Sequence, residues 1–290
     1  MTAFGSTPIL ASMAPLAATI AMAIACAVLS VFVVARRWAF IGEGISHSGF
    51  GGAGVAWLLM LAAPALVDQP WVVFVCVIVF CLATALAIGY LSHGSRVTGD
   101  AAIGIFLVAS LAFGFLAQQI FRHARGVMPQ YADSLLFGQL AAIDARMAIV
   151  CMLISLAVIV VVAALGKEIL AYCFDPLMAQ ASGVPTGMIH YLLMVLIAVT
   201  IIIGMPITGS VLVTALLVLP GVTANLLSRR LRDVIVIAVA CGIIAAIVGV
   251  AINAAWRFIP TGPAIVLTLF IEFLLAYAGR RILPAGASRA

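Results

Sequence analysis

A carboxylate and an imidazole lie four residues apart in the stretch FIGEGISHSGFGGAG, residues 40–54. Residues at positions i and i+4 of a helix share one face, so Glu43 and His47 can reach the same atom. A carboxylate oxygen and an imidazole nitrogen are ligands that zinc, manganese and iron accept. A structural Glu–His hydrogen bond at a helix start explains the same spacing, and such structural pairs are the more common case. The spacing alone therefore leaves a metal-contacting pair and a structural pair both open.

The residues around this pair are small or carry hydroxyl groups. The side chains of Ser46 and Ser48 are predicted to orient the two ligands by hydrogen bonding. The six glycines of residues 40–54, together with Ala53, are predicted to let neighbouring helices approach closely, as small residues do inside membranes.

Two further ionisable residues fall within or beside long apolar runs. Glu272 lies well inside the last run, where a carboxyl group is costly and by default indicates function. A helix interface, a dimer contact and a transport pathway all remain open for it. His190 lies at the start of another run, where we predict a structural, interfacial histidine.

The chain carries no pattern of an enzyme active site. The motif HExxH is absent, although EGISH at 43–47 resembles it superficially, and no GxSxG occurs. The Gly166–Lys167 pair is followed by Glu168 and has no glycine at the upstream position that a Walker A loop requires. We therefore expect no catalytic residue and no permanently bound cofactor. Any ATP-driven action must use the ATPase of another chain.

The composition is that of an integral membrane protein. Of its 290 residues, 66% are hydrophobic and only 8% are charged, whereas soluble domains are about 25% charged. The mean hydropathy is +1.34, and a membrane-spanning helix needs roughly 20 apolar residues. The sequence predicts an all-α, polytopic protein with about nine transmembrane helices, forming one domain over residues 1–290. The predicted spans are 12–35, 48–67, 71–91, 101–121, 147–166, 188–205, 207–226, 234–256 and 263–279.

The basic residues predict an orientation rather than nucleic-acid binding. They stand in pairs and clusters at the ends of the apolar runs, as topology signals do, with no basic stripe interleaved with aromatics. With the N-terminus outside and the C-terminus in the cytoplasm, the positive-inside rule is satisfied by Arg36, Arg37, Arg96, Lys167, Arg229, Arg230, Arg232, Arg280 and Arg281. Arg122, Arg125 and Arg146 fall on the outside and oppose this assignment. Without a basic region before the first run, that run is predicted to be a retained span.

Three segments between the spans are more than simple turns. Residues 122–146 mix charge with an amphipathic stretch, which predicts an extracytoplasmic surface helix. Residues 167–187 are predicted to be cytoplasmic and to hold a short helix. Asp175 would be its N-cap, Pro176 its first residue and Gly183 its stop, with Leu177 and Met178 on the helix. Residues 204–221 leave no room for a loop and predict a tight hairpin or a broken helix.

Six blocks carry a resemblance to a known family. They are RRWAFIGEGISHSGFGGAGVAWLL at 36–59, DAAIGIFLVASLAFGFLA at 100–117, SLLFGQLAAI at 134–143, DPLMAQASGVP at 175–185, GSVLVTALLVLPGVTANLLSRR at 209–230 and PTGPAIVLTLFIEFLLA at 260–276. In this order they resemble the permease subunits of bacterial ABC importers for zinc, manganese and iron.

The resemblance implies a BtuC-like, type II importer permease architecture in the bacterial inner membrane. It implies that Glu43 and His47 face the pathway of Zn²⁺, Mn²⁺ or Fe²⁺, and that 175–183 docks on the ATPase. The implied partners are a second permease copy, usually an identical one, two cytoplasmic ATPase subunits and an extracytoplasmic metal-binding receptor. The family commonly has aspartate where this chain has Glu43, which leaves metal preference open. Glu272 matches no family motif.

Two alternatives compete with this interpretation. A stand-alone secondary transporter or channel would couple to an ion gradient through intramembrane acids such as Glu43 and Glu272. A permease for a chelated metal, such as a siderophore or a corrinoid, is usually longer and lacks the Glu–His spacing found here.

Overall fold

The protein is all-helical throughout the residues that the computed structural model describes, namely 9–63, 69–94, 97–126, 145–256 and 258–282. The helices are α1 (Ile9–Ala35), α2 (Ile41–Ala62), α3 (Pro70–Gly94), α4 (Gly99–Arg125), α5 (Ala145–Ala164), α6 (Gly166–Phe174), α7 (Pro176–Ala181), α8 (Thr186–Thr208), α9 (Ser210–Leu227), α10 (Leu231–Ala255) and α11 (Thr261–Ile282).

Nine of the helices in the described ranges are long and apolar enough to cross a membrane, in agreement with the predicted number. The main boundary error concerns α2, which begins at Ile41 and not at residue 48. Its span has the lowest mean hydropathy of the nine, 1.3, because glycines, serines, Glu43 and His47 dilute the apolar residues. Burial of most of this helix against its neighbours stabilises it where hydropathy alone does not.

Three helices form the interior of the bundle. Helices α1, α2 and α8 are the most buried spans, whereas α4, α5, α10 and α11 leave most of their surface exposed. Helix α2 packs mainly on α3 and α4, and α1 packs on α5, α9 and α10. Helix α8 lies between these two groups because it contacts α1, α2 and α3. The Glu43–His47 pair therefore belongs to one of the innermost helices.

The glycines of α2 allow the close approach that the sequence predicts. A Cβ atom added at Gly52 would lie 2.7 Å from the Cα of Val77 in α3. On the other side, a Cβ added at Gly114 of α4 would lie 2.8 Å from the carbonyl oxygen of Phe50. Both distances are shorter than van der Waals contact, so only glycine permits these helices to lie backbone against backbone.

Helices α8 and α9 are joined by a single residue, so the tight hairpin is the correct one of the two predicted arrangements. Gly209 has φ +84°, a conformation that glycine adopts without steric cost. Its N–H donates to the carbonyl of Met205 at 2.9 Å. The turn lets α8 and α9 pack against each other directly.

The end of the bundle where α1 ends and α2 begins carries Arg36 and Arg37, and we call it the arginine-rich end. Helices α6 and α7 lie at this same end, because Tyr172 of α6 packs against Arg36, with the guanidinium 4.4 Å from the ring centroid. The predicted outer segment, 122–146, contains the last turn of α4 and the first of α5. Its amphipathic centre, with Leu135 to Leu140, lies outside the described residues.

Replacement of Gly52 by alanine is expected to destabilise the bundle. The new Cβ meets the backbone of α3, which cannot move aside as a flexible side chain would, and overpacking costs about 1–3 kcal/mol. Thermal unfolding of the purified chain in detergent measures the effect. Gly104→Ala is the matched control, because a Cβ there meets nothing within 4 Å, and alanine has the higher helix propensity. Equal melting temperatures for the two variants would contradict the packing argument.

Candidate functional site

Glu43 and His47 lie on one face of α2 and contact each other, as their spacing predicts. The distance from Oε1 of Glu43 to Nε2 of His47 is 2.7 Å. Glu43 stands in the first turn of the helix, where the partial positive charge of the unpaired N–H groups stabilises a carboxylate. The Glu43 side chain is 36% exposed and that of His47 21%, so a small ion can reach both.

One ring nitrogen of His47 has no partner among the described residues. Nε2 faces Glu43, whereas Nδ1 is buried and makes no hydrogen bond there. A buried polar nitrogen without a partner destabilises the folded protein unless a ligand or a water molecule bonds to its lone pair or accepts its N–H. Within the described ranges, no cluster of three or more His, Cys, Asp or Glu side chains is present. The pair therefore presents two adjacent side chains, a carboxylate and an imidazole, of the types that bind divalent metals.

Two neighbouring helices bound the space around the pair. A Cβ on Gly42 would be 3.3 Å from Thr214 of α9, and a Cβ on Gly44 would be 2.8 Å from the side chain of Ile103 in α4. The hydroxyl of Thr214 donates to the carbonyl of Ser210 at 3.0 Å. The early turns of α2 are thus held against α4 on one side and α9 on the other, which limits how the pair can move.

The predicted role of the two serines is wrong. The hydroxyl of Ser46 donates to the carbonyl oxygen of Glu43 at 3.1 Å. That of Ser48 donates to the carbonyl oxygen of Ile45 at 2.6 Å and lies 3.3 Å from Sγ of Cys81. Neither hydroxyl contacts the carboxylate or the imidazole, because a helical serine reaches the carbonyl of the preceding turn more readily. The serines tie α2 to itself and to α3.

The short helix between the spans has the capping geometry that the sequence predicts. Oδ1 of Asp175 accepts hydrogen bonds from the N–H groups of Leu177, at 3.1 Å, and Met178, at 3.0 Å. Pro176 occupies the first helical position, and Gly183 follows the helix with φ +85°. These features stabilise α7, a helix of only 6 residues, and helices this short are unstable in isolation.

An apolar surface projects from the end of α6 and the start of α7 at the arginine-rich end. Phe174 is 74% exposed, Leu177 79% and Met178 63%. We call these three residues the α7 knob. Large apolar side chains this exposed outside a membrane span are typical of a protein–protein contact.

The remaining two candidates lie apart from the pair. Glu272 is on α11, which packs against α9 and α10. Both of its carboxylate oxygens are inaccessible and accept no hydrogen bond from the described residues. His190 is 1% exposed and bonds to Tyr172 of α6 at 2.7 Å. The sequence reasoning missed Tyr172, and with it α6, because nothing local links it to a histidine in the next span.

Comparison with known proteins identifies the family. Residues 11–280 match the ABC 3 transport family. The chain is 34% identical over 262 residues to the manganese transport system membrane protein MntC of Halalkalibacterium halodurans, with 90% of this chain and 85% of that protein covered. It is 31% identical over 269 residues to the chelated iron transport system membrane protein YfeD of Yersinia pestis, covering 92% of this chain and 84% of that one.

A solved structure has the same fold. PsaBC from Streptococcus pneumoniae, determined in complex with a Fab, superposes with a TM-score of 0.73 at 28% identity, covering 91% of this chain and 90% of that one. The fold, the family match and the relatives all indicate the same family. The chain belongs to the ABC 3 transport family of multi-pass ABC importer permeases.

Proposed function

We propose that this chain translocates divalent transition metal ions into the cytoplasm and that Glu43 and His47 contact the ion. The observation that carries the proposal is the carboxylate and imidazole at 2.7 Å on an inner helix, with a second ring nitrogen that lacks a partner in the described structure. Relatives named for manganese and for chelated iron transport support ions of this class. Zinc has the same ligand preferences and remains within the proposal.

Two protein ligands suit an ion that must pass through. A closed tetrahedral cage holds its metal tightly, whereas a pathway needs sites that bind well enough for entry and weakly enough for exit. Glu43 supplies an oxygen and His47 a nitrogen, and water completes the shell of Mn²⁺ or Fe²⁺. The ion is then bound transiently and released towards the arginine-rich end.

The same proposal assigns the partners and the orientation. The arginine-rich end faces the cytoplasm, as the positive-inside rule requires. There the α7 knob docks on an ABC ATPase subunit. This chain carries no nucleotide-binding motif, so that subunit is the one that hydrolyses ATP. A second, identical permease copy completes the membrane part, and an extracytoplasmic receptor protein delivers the ion. Membership of an ABC importer family supports ATPase and receptor partners in general; the identical second copy and the docking surface are our assignment.

Uptake of competing metals tests the proposal. Cells lacking this chain are expected to lose energy-dependent uptake of radioactive manganese or iron, and expression of the chain is expected to restore it. An excess of unlabelled Mn²⁺, Fe²⁺ or Zn²⁺ is added in turn. A decrease in the uptake of the radioactive ion shows which of the three competes for the transporter. Unchanged uptake in the cells that lack the chain would contradict the proposal. Metal uptake by the reconstituted chain without any ATPase would instead favour a secondary transporter.

A further inference from the structure

A buried chain of hydrogen bonds joins three helices at the arginine-rich end. The hydroxyl oxygen of Tyr172, on α6, lies 2.7 Å from Nδ1 of His190, on α8. Nε2 of His190 lies 3.0 Å from the carbonyl oxygen of Gly89, on α3. Tyr172 is 2% exposed and His190 1%. Buried hydrogen bonds of this kind hold their elements in one relative position, because breaking one leaves a buried polar atom unpaired.

The chemistry of the groups determines the direction of each bond. A carbonyl oxygen only accepts, so Nε2 of His190 donates to Gly89. In a neutral imidazole Nδ1 is then the acceptor, and the Tyr172 hydroxyl donates to it. Burial raises the pKa of Tyr172 to about 12, partly offset by the nearby Arg36 guanidinium, so the hydroxyl keeps its proton at neutral pH. The donors therefore run in one direction, from α6 through α8 to α3.

The turn between α1 and α2 is attached to the same cluster. The guanidinium of Arg36 lies 4.4 Å from the ring centroid of Tyr172 and 5.4 Å from that of Trp38. The Trp38 ring contacts the His190 ring edge-on, with centroids 5.4 Å apart. Between them Arg37 has φ +58°, a strained conformation for a residue with a side chain. Such strain persists where the surroundings hold the turn in place, as Arg36 and Trp38 do here.

The cluster stands between the two sites described above. Tyr172 is three residues before Asp175, the N-cap of α7, and Trp38 is five residues before Glu43. Asp175 joins α6 directly to α7. It is the C-cap of α6, where its N–H donates to the carbonyl oxygen of Ala171 at 3.0 Å, and it is also the N-cap of α7. Tyr172 is thus within one helical turn of α7. Trp38 lies in the turn that leads into α2, where its carbonyl oxygen accepts a hydrogen bond from the N–H of Ile41 at 2.9 Å, two residues before Glu43.

We propose that Tyr172 and His190 are positioning residues that transmit movement of α7 to the start of α2 and to α3. Through them, docking or release of the ATPase at the α7 knob changes the setting of the Glu43–His47 pair. The inference rests on the proposed docking of α7. It adds to that proposal the route by which ATP hydrolysis is linked to the ion pathway.

Removal of the Tyr172 hydroxyl tests the route. Tyr172→Phe keeps the ring beneath Arg36 but deletes the donor to His190. The complete transporter, with its ATPase and receptor, is reconstituted into liposomes, and the number of Mn²⁺ ions imported per ATP hydrolysed is measured. A coupling free energy of ordinary size predicts a decrease of about 5-fold or more in this ratio. Tyr191→Phe is the matched control. Its ring lies 5.4 Å from that of His190, and its hydroxyl makes no hydrogen bond in the described structure.

A second variant separates transmission from simple bracing. His190→Gln also breaks the bond to Tyr172, and the double variant is expected to lose no more coupling than either single one, because the two residues act in one chain. A lower melting temperature with an unchanged ratio of ions to ATP would overturn the proposal. If Tyr172→Phe does not assemble, the ratio for His190→Gln decides in the same way.

Failure of the docking proposal is distinguishable from failure of this one. If Leu177→Asp keeps normal coupling while Tyr172→Phe loses it, the docking proposal is wrong, and Tyr172 and His190 transmit movement from an ATPase contact other than the α7 knob. If Leu177→Asp uncouples the transporter while Tyr172→Phe and His190→Gln do not, the route is wrong.

Discussion

Glu43→Gln is expected to lower metal uptake by more than about 10-fold, since loss of a mere hydrogen-bonding partner of a metal ligand already costs about 10- to 100-fold. The amide keeps the size of the side chain but loses the negative charge that a divalent cation requires. His47→Ala removes the imidazole and is expected to have an effect of similar size. Uptake of radioactive manganese and iron by cells that express each variant measures both.

The structural interpretation of the same pair predicts a different outcome. An i,i+4 ion pair on a helix contributes about 0.3–0.5 kcal/mol, which is too little to decide whether the permease assembles. We therefore expect Glu43→Gln to retain its melting temperature and its ATPase partner while losing transport. Asp100→Asn, at an exposed carboxylate in the first turn of α4, is the control for loss of a charge. Normal uptake by both Glu43→Gln and His47→Ala would contradict the site assignment.

Glu43→Asp addresses metal preference within the same experiment. Aspartate is the residue commonly found at this position in the family that the sequence resembles, and it retains the charge. Its oxygens are drawn back by one carbon–carbon bond, which alters the distance to a metal held by His47. We expect this variant to transport, with a changed order of competition among Mn²⁺, Fe²⁺ and Zn²⁺.

Leu177→Asp is expected to uncouple ATP hydrolysis from transport. Leu177 is 79% exposed, and burying a leucine side chain in an interface contributes about 1.5–3 kcal/mol. Replacing it by a carboxylate loses that contribution and adds the cost of desolvating a charge. Each 1.4 kcal/mol corresponds to about 10-fold in affinity, so binding of the ATPase subunit should weaken by more than about 10-fold. Co-purification with the ATPase, together with metal uptake, measures the effect.

The control for this prediction is the same substitution elsewhere at the arginine-rich end. Leu227 ends α9 and is 54% exposed, so Leu227→Asp adds an equal charge outside the α7 knob. Leu177→Met, which keeps an apolar side chain of similar volume, should leave coupling intact. Full coupling in Leu177→Asp would move the ATPase contact away from α7.

Local sequence features predicted much of the candidate site. The contact between Glu43 and His47 follows from the helical repeat, because residues four apart share a face whatever the rest of the chain does. The cap of α7 follows from Asp175 and Pro176, whose preferences act within one helical turn. The role predicted for Ser46 and Ser48 was wrong, because each hydroxyl donates to a backbone carbonyl of its own helix. The sequence does not show that these carbonyls are preferred as acceptors over the side chains of Glu43 and His47.

The sequence by itself determined that the chain is a multi-pass helical bundle in which Glu43 and His47 share a face near the start of the second span. Hydropathy, helical spacing and capping are sufficient for this because each acts within a single helix. Only the tertiary structure decided that α2 begins at Ile41 and lies in the interior, because its polar first turns are stabilised by packing against α4 and α9. It also brought Tyr172 to His190, and His190 to Gly89, residues separated by 18 and 101 positions. Contacts across such separations depend on how whole helices pack.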